Sequence, residues 1–317
     1  MVTAERLENY ERFNQSQLLI EDLLLTAPKP RSPGRFLNFT GNGDLTVYNG
    51  TAPFEHHGQT YLAARVEPFD NEFDSYTGIF RHQDADNWQL QTDLPVYQLQ
   101  DPAVKIINGE IILAGVKVFD HPFRPGDKSW QTEIWRGPDF ASLSRFAVGP
   151  PGMKDIRLVE LPAGLIGVFT RPQDPASGNL GKAGFTTINR LEELSPEKLI
   201  RAPLIHELFK DGVEWGGVNE AHALEDGLIG LIGHIARRVN DQREYYAISA
   251  VFNPVDFSID KLQIISQRRD FPDCLPKKKD IFNCEFPGGV VLDPINTEFY
   301  TGVSDVKGGA IEINYPF

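Results

Sequence analysis

The segment LQDPAVKIINGEIILAGVKVF (99–119) contains the pattern that decides the fold. It begins with the acid Asp101, continues through apolar positions to the turn Asn108-Gly109, and ends in a second apolar strand rich in small residues. Asn-Gly between two apolar runs is typical of a tight β-hairpin turn. The segment therefore predicts a β-hairpin whose first strand begins near a carboxylate.

Four other segments repeat this pattern in order along the chain. They are VYNGTAPFEHHGQTYLAARVEP (47–68), GMKDIRLVELPAGLIGVFTRP (152–172), GVNEAHALEDGLIGLIGHIARR (217–238) and IFNCEFPGGVVLDPINTEFYTGVSD (281–305). The first three have a glycine-containing turn between the apolar runs, and the last has Asp293-Pro294 in its place. A repeated hairpin at intervals of this length is typical of the blades of a β-propeller.

The matched positions of the five segments support the same interpretation. These positions are Asn49, Asp101, Asp155, Glu220 and Cys284, with spacings of 52, 54, 65 and 64 residues. We therefore predict an all-β chain in which residues 34–317 form a single five-bladed β-propeller. Residues 1–33 would form a partly helical N-terminal extension, and 35–40 would close the ring against the last blade. The alternative is an irregular β-sandwich with similar hairpins.

The composition excludes several classes of function. With 44 acidic and 31 basic residues the net charge is −13, which argues against a nucleic-acid groove. No stretch approaches 18 apolar residues, and the start of the chain, MVTAERLENYERF, has charges where a signal peptide is apolar. Two cysteines, Cys274 and Cys284, cannot form a disulfide framework. We expect a cytoplasmic protein with no nucleic-acid and no membrane partner.

Carboxylates at the starts of the first strands are the strongest functional signal. In a propeller these strands line the central channel, so Asn49, Asp101, Asp155, Glu220 and Glu285 would converge on one pocket. Crowded carboxylates are costly unless cations, hydrogen bonds or shared protons stabilise them. The alternative is that these acids end strands or hold a structural cation. No ligand spacing requires a metal or a cofactor, although the acids leave room for a divalent cation in the channel.

A pair of carboxyl groups is what glycoside cleavage needs. One acid protonates the departing oxygen, and a second group attacks or activates the nucleophile. Asp101 and Glu220 are the best candidates for this pair. Asp155, between Lys154 and Arg157, would stay ionised and modulate its neighbours.

Three further side chains belong to the fourth segment. His222 and His234 are expected near the pocket, either in contact with a sugar or as structural histidines. Trp215 directly precedes the first strand and would stack on a sugar at the rim of the pocket. The other tryptophans, including Trp130, are expected in the core between blades.

An ordered set of short motifs resembles a bacterial family known as domain of unknown function 1861. The motifs are LQDP (99–102), GMKDIRL (152–158), TRPQ (170–173), WGGVNE (215–220), LIGHIA (231–236) and GVSD (302–305). More broadly, the segments resemble glycoside hydrolase family 130, the mannoside phosphorylases and mannosidases. Families 43, 32 and 68 share that five-bladed architecture.

The resemblance to family 130 implies roles for several residues. Asp101 matches the proton donor, and Arg65 and Glu67 match a segment that contacts the sugar. Lys154-Asp155 and Arg171-Pro172 match a motif that helps bind phosphate or a sugar hydroxyl. Glu220 does not match that family well, which leaves the mechanism open.

Three functions remain open at this point, all with a small carbohydrate as the partner. The first is a glycoside hydrolase that uses Asp101 and Glu220, with Asp155 as the modulator. The second is a glycoside phosphorylase in which Lys154, Arg157 and Arg65 bind inorganic phosphate. The third is a propeller that binds sugar without catalysis.

Overall fold

The computed structural model describes residues 19–173, 180–210 and 212–317. Within these ranges the chain is nearly all-β, which confirms the predicted all-β class. Residues 19–26 are helical and are labelled α1, and the short helix α2 spans Pro196–Ile200. No helix in the described ranges is both long enough and apolar enough to cross a membrane. Residues 1–18 of the predicted N-terminal extension lie outside the described residues.

The first part of the chain contributes seven strands to a ten-stranded sheet, sheet I. They are β1 (Arg35–Phe36), β2 (Asn38–Thr40), β3 (Thr46–Tyr48), β4 (Phe54–His56), β5 (Gln59–Glu67), β6 (Tyr76–Asp84) and β7 (Asn87–Leu90). Strands β3, β5, β6 and β7 are antiparallel neighbours in that order. Strand β4 pairs with β5, and β2 runs parallel to β7.

The middle of the chain forms three separate antiparallel sheets. Sheet II contains β8 (Gln100–Ile107), β9 (Glu110–Asp120), β10 (Lys128–Gly137) and β11 (Ser144–Val148). Sheet III contains β12 (Arg157–Glu160), β13 (Ile166–Thr170) and β14 (Gly184–Ile188). Sheet IV contains β15 (Glu214–Ala223), β16 (Ile229–Val239), β17 (Gln242–Phe252) and β18 (Ile259–Ser266). Short 3-10 helices span Pro162–Gly164, Leu191–Glu193, Glu225–Gly227 and Arg268–Asp270.

The last three strands complete sheet I. They are β19 (Glu285–Val291), β20 (Thr297–Val303) and β21 (Lys307–Ile313), antiparallel in that order. Strand β21 also pairs with β1, through Arg35 with Ala310 and Phe36 with Gly309, and in parallel with β3. The beginning of the described chain is thus hydrogen-bonded to its end, which leaves fewer free strand edges.

Four of the predicted hairpin turns have the backbone that their residues favour. The central residues have positive φ in the turns His57-Gly58, Asn108-Gly109, Ala163-Gly164 and Asp226-Gly227. Positive φ is what tight hairpin turns require, and glycine and asparagine adopt it at low cost. These turns connect β4 to β5, β8 to β9, β12 to β13 and β15 to β16.

The core lies between successive sheets. Ile112 and Ile134 of sheet II pack with Val168 of sheet III, and Phe185 of sheet III packs with Phe252 of sheet IV. Burial of each such side chain stabilises the fold by about 1.5–3 kcal/mol. Strands β8, β12, β15 and β19 contact one another in succession. The starts of these first strands therefore face a common central space.

Candidate active site

The first strands surround a cavity of about 490 Å³, which we call the main cavity because the starts of these strands meet there. Its wall includes Asp101 near the start of β8, Lys154 before β12, Cys284 before β19, and Asn49, which follows β3. Further along β8, residues 103–106 line a second cavity of about 290 Å³. Because two parts of one strand line the two cavities, the cavities lie at different depths in the central space.

Three matched positions of the sequence repeat share a rare backbone conformation. Asn49, Asp101 and Asp155 have φ values of 49°, 47° and 59°. Asparagine and aspartate are the side-chain-bearing residues that adopt this left-handed region most readily. Residues in sparsely populated conformations cluster at functional sites, where the surrounding structure holds them in place. The starts of three first strands thus have a common geometry.

Asp101 is buried in the wall of the main cavity. Its Oδ1 accepts a hydrogen bond of 2.9 Å from Asn49 Nδ2, and Arg65 Nη1 lies 3.3 Å from the same oxygen. Among the described residues, no hydrogen bond reaches Oδ2. One carboxylate oxygen is therefore held in place while the other remains open to a ligand.

Glu67 supports Arg65 from behind the cavity wall. Arg65 Nε donates to Glu67 Oε2 at 2.6 Å, and the Tyr48 hydroxyl donates to Glu67 Oε1 at 2.5 Å. Lys277 is also ion-paired with Glu67. Burial, together with the charge of Arg65, lowers the pKa of Lys277 to about 8. This network fixes the guanidinium that contacts Asp101.

Asp155 forms the centre of a buried charged cluster. Arg157 Nη2 lies 3.3 Å from Asp155 Oδ1, and Arg171 Nη1 lies 3.1 Å from Oδ2. Burial alone raises the pKa of Asp155, but the charges of Lys154, Arg171 and Arg157 outweigh it and hold the pKa well below its usual range. Burial lowers the pKa of His234 well below its usual value, so its imidazole is neutral and adds no charge.

Five cationic side chains line the main cavity, and four of them have carboxylate partners. The pairs are Arg65 with Glu67, Lys128 with Asp120, Arg243 with Asp280 and Lys278 with Glu72. Lys154 differs, because its ammonium forms no ion pair with any carboxylate that the structure describes. A cation at a cavity wall with no carboxylate within ion-pair distance is available to an anionic ligand.

Asp305 lines the main cavity together with the carboxylates Asp101 and Glu72, and it is not among the matched positions of the sequence repeat. It follows β20 in a turn where Ser304 and Asp305 both have positive φ, at 52° and 54°. Burial raises its pKa and the charge of Asp101 raises it further, while Arg65 and Lys277 oppose this. The motif GVSD (302–305) contained the signal, but it lies at the end of the fifth segment rather than at its start.

Glu220 lines the second cavity, and the structure does not bring it together with Asp101. Glu220 Oε2 accepts hydrogen bonds of 2.8 Å from Val290 N and pairs at 2.8 Å with His222 Nε2. The pairing of β15 with β16 skips Asn219, so a β-bulge shifts the register there. Glu220 is the seventh residue of β15, whereas Asp101 is the second residue of β8, so Glu220 lies at the depth of the second cavity.

The remaining predicted residues surround the main cavity without lining it. Trp215 is only 6% exposed and packs edge-on against Tyr245, whose ring does line the cavity. His234 Nδ1 pairs with Asn219 Oδ1 at 2.8 Å. Glu285 Oε1 accepts a 2.8 Å hydrogen bond from Ser266 Oγ, on β18 of the neighbouring sheet.

Aromatic side chains other than Trp215 form part of the cavity wall. They are Phe73, Trp130, Tyr245 and Phe286. The prediction that Trp130 belongs to the core was wrong, because its side chain is partly exposed and lines the cavity. Within the described ranges, no group of three or more His, Cys, Asp and Glu side chains is arranged to hold a metal ion.

Comparison with known proteins gives one family and a set of similar structures. The model of the family described as "Protein of unknown function (DUF1861)" matches residues 26–317. Among curated proteins, none matches the chain.

Two similar structures come from Leishmania mexicana, and each is 30% identical in sequence. The first is MPT-4, a mannose phosphorylase in complex with phosphate ion, with a TM-score of 0.85 over 98% of this chain and 95% of that chain. The second is MPT-1, a GDP-Man-dependent mannosyltransferase, with a TM-score of 0.83 over 94% and 93%. A β-1,2-mannobiose phosphorylase from Listeria innocua is 15% identical with a TM-score of 0.62 over 92% and 93%, which shows a shared fold alone.

Proposed function

The chain belongs to the DUF1861 family of proteins of unknown function, and from the charges of its main cavity we propose that it is a glycoside phosphorylase acting on mannosides. The similarity to a mannose phosphorylase that binds phosphate supports this proposal. The similarity to a mannosyltransferase supports mannose as the transferred sugar.

We also propose that residues 34–317 form one five-bladed propeller. Two blades would share sheet I, joined by the contact between β21 and β3, and sheets II, III and IV would be one blade each. The succession of contacts between β8, β12, β15 and β19 supports this arrangement. In it, the main cavity is the mouth of the central channel.

The observation that carries the proposal is the excess of positive charge around Asp155. Arg157 and Arg171 are buried and share the carboxylate of Asp155, and Lys154 has no described carboxylate within ion-pair distance. Buried cations without a full set of counter-charges are unfavourable, and an anion at the cavity wall would compensate them. Phosphate is a strong acceptor for ammonium and guanidinium groups. We therefore assign phosphate to Lys154, with Asp155 as the residue that positions both arginines.

The proposed reaction uses Asp101 as the acid. In its protonated form Asp101 donates a proton to the glycosidic oxygen as the bond from that oxygen to the anomeric carbon breaks. An oxygen of the bound phosphate forms the new bond to the same carbon. The products are a sugar 1-phosphate and the saccharide that carries the released hydroxyl. Asp101 then regains its proton from solvent.

One observation favours a second candidate function, a glycoside hydrolase. Asp305 lies in the same cavity as Asp101 and is a better partner for it than Glu220, which lines the second cavity. In a hydrolase one of these two carboxyl groups would protonate the departing oxygen and the other would activate water in place of the phosphate. The two functions differ in one measurable requirement, which is inorganic phosphate.

The decisive experiment is turnover of mannobioses with and without inorganic phosphate. We expect mannose 1-phosphate and mannose as products when phosphate is present, and no turnover without it. Turnover that is independent of phosphate would establish hydrolysis. Binding without turnover under both conditions would establish a sugar-binding protein.

Replacement of Lys154 tests the assigned phosphate site. We expect Lys154→Met to raise the KM for phosphate by roughly tenfold to a hundredfold, because a hydrogen bond to a charged group is lost. The KM for mannobiose should change little. The matched control is Lys128→Met, since Lys128 lines the same cavity but is paired with Asp120 at 2.7 Å. Equal effects of the two variants on phosphate would reject the assignment to Lys154.

A further inference from the structure

Trp130 has a fixed orientation in the wall of the main cavity. Its indole N–H donates to the Gly152 carbonyl oxygen at 3.0 Å and lies 3.3 Å from Gln173 Oε1. The ring is partly exposed and lines the cavity together with Val116 and Val118. An indole held by two acceptors presents a rigid apolar surface in a cavity that is otherwise strongly charged.

The strand register places Trp130 two residues further along β9 than Asp101. We call the position of Asp101 the lower level of the cavity and that of Trp130 the upper level. Gln100, which precedes Asp101, pairs with Val116 of β9, whereas Trp130 pairs with Val118. Two residues along a strand span about 7 Å. Beyond Val118 the strand leads to an exposed loop in which Phe123 is 87% exposed. The direction from Asp101 to Trp130 therefore leads toward solvent, away from the second cavity.

The residues that carry the proposed chemistry lie on the lower level. Thr132 pairs with Val116, and its N–H donates to the Met153 carbonyl oxygen at 3.0 Å, directly before Lys154. Lys154 is thus level with Gln100 and Asp101. The transferred sugar and the phosphate fit this charged lower level. The apolar upper level has a different role.

We propose that Trp130 and Val118 bind the saccharide that leaves, about one sugar ring above the bond that Asp101 protonates. This inference rests on the proposed function and specifies the substrate as a disaccharide or a longer chain. The C–H face of the second pyranose ring would lie against the indole, because aromatic surfaces bury such apolar faces. In the reverse direction the same surface would select the acceptor sugar.

Kinetics of both reaction directions test the proposal. We expect Trp130→Ala to raise the KM for mannobiose about tenfold, and to leave the KM for mannose 1-phosphate within about twofold. Trp130→Phe keeps a ring without the N–H and should restore most of the affinity. Phe123→Ala is the matched control, because Phe123 lies beyond the same strand but does not line the cavity. It should leave both constants unchanged.

A binding measurement separates this proposal from the proposed function. In an Asp101→Asn background, calorimetry with mannobiose and with mannose reports affinity without turnover. We expect Trp130→Ala to remove the advantage of mannobiose over mannose. The proposal is overturned if Trp130→Ala weakens mannose as much as mannobiose, or if it weakens neither. Because this readout needs no phosphate, it remains decisive even if the chain proves to be a hydrolase.

Discussion

The backbone conformation of Asp101 determines which substitutions there change catalysis without also straining the fold. With φ at 47°, the position suits asparagine almost as well as aspartate, whereas alanine there is strained. Asparagine can also accept the hydrogen bond from Asn49 Nδ2 that holds the native carboxylate. The two substitutions therefore separate the loss of a proton donor from the loss of a conformation.

We expect Asp101→Asn to lower kcat by at least about a hundredfold, the usual contribution of a general acid, with little change in stability. Asp101→Ala should lower kcat equally and also destabilise the fold by about 1–2 kcal/mol, because alanine must hold the left-handed conformation. Steady-state kinetics and urea unfolding of both variants measure the two effects. An Asp101→Asn variant with nearly native kcat would exclude Asp101 as the acid.

The sequence located some site residues and could not locate others. Asp101 and Lys154 were identifiable, because a repeat brings equivalent positions together and both residues flank its start. Glu220 was expected in the same pocket, but β15 begins at Glu214, so Glu220 lies well inside the strand rather than at its start, and the sequence repeat did not reveal this early start. Asp305 reaches the cavity from a turn at the far end of its segment, so a comparison of segment starts could not find it.

At the scale of elements, the close approach of β19 to the first part of sheet I is sensitive to a single methyl group. A Cβ added at Gly288 would lie 1.8 Å from the Gly50 carbonyl oxygen, so β19 or the backbone at Gly50 would have to move. Gly288 also lies in a register shift between Pro287 and Gly289. The contact joins the fifth repeat to the first.

We expect Gly288→Ala to lower the free energy of unfolding by about 1–3 kcal/mol, the usual cost of overpacking. The control is Val291→Ala on the same strand, where the side chain is 41% exposed and the cost should stay near 0.5 kcal/mol. Urea unfolding of both variants provides the measurement. Equal stabilities would mean that the two segments can separate freely at this contact.

Hairpins were more predictable than the connections between sheets. The turns at Asn108-Gly109 and Asp226-Gly227 are specified by residues that favour positive φ, so local chemistry determines them. The pairing of Phe36 with Gly309 joins residues that are far apart in sequence, and neither strand has a distinctive local pattern. Such long-range pairs depend on the assembled core, which short motifs do not describe.

At the scale of the whole molecule, one buried acid makes the stability depend on pH. Glu285 is fully buried, and burial raises its pKa from 4.5 to about 8. Ser266 donates to Oε1, while Oε2 has no partner within the described part of the chain. The folded protein therefore keeps this carboxyl protonated at neutral pH, whereas the unfolded chain ionises it.

We expect this group to reduce the stability of the fold as the pH rises from about 4.5 to about 8. Below this window the carboxyl is protonated in both the folded and the unfolded state, and above it the carboxyl is ionised in both. The stability therefore changes with pH only within the window. Glu285→Gln cannot ionise, so its stability relative to the native protein should increase by on the order of a few kcal/mol between pH 5 and 8. Urea unfolding at several pH values measures this difference, with the exposed Glu55→Gln as the control. Parallel pH profiles for the native protein and Glu285→Gln would contradict the prediction.

The net charge of the chain shows why composition alone could not predict the proposed anion site. The total of −13 is a sum over the whole chain, whereas the cluster at Asp155 has three cations to one carboxylate. Lys154, Arg157 and Arg171 all belong to the third segment (152–172), and the cluster forms when the hairpin of β12 and β13 brings Arg171 back beside Asp155. Composition could exclude a nucleic-acid groove, but local charge depends on the assembled sheets.

The left-handed backbone at Asp101 has a consequence for how such a protein can diversify after gene duplication. Asparagine keeps the conformation and the bond from Asn49, so one replacement can end the proposed reaction while the cavity, the aromatic wall and the cationic cluster persist. The descendant would remain a folded saccharide receptor. A paralogue with asparagine at this position is therefore expected to sense or carry sugars rather than to cleave them.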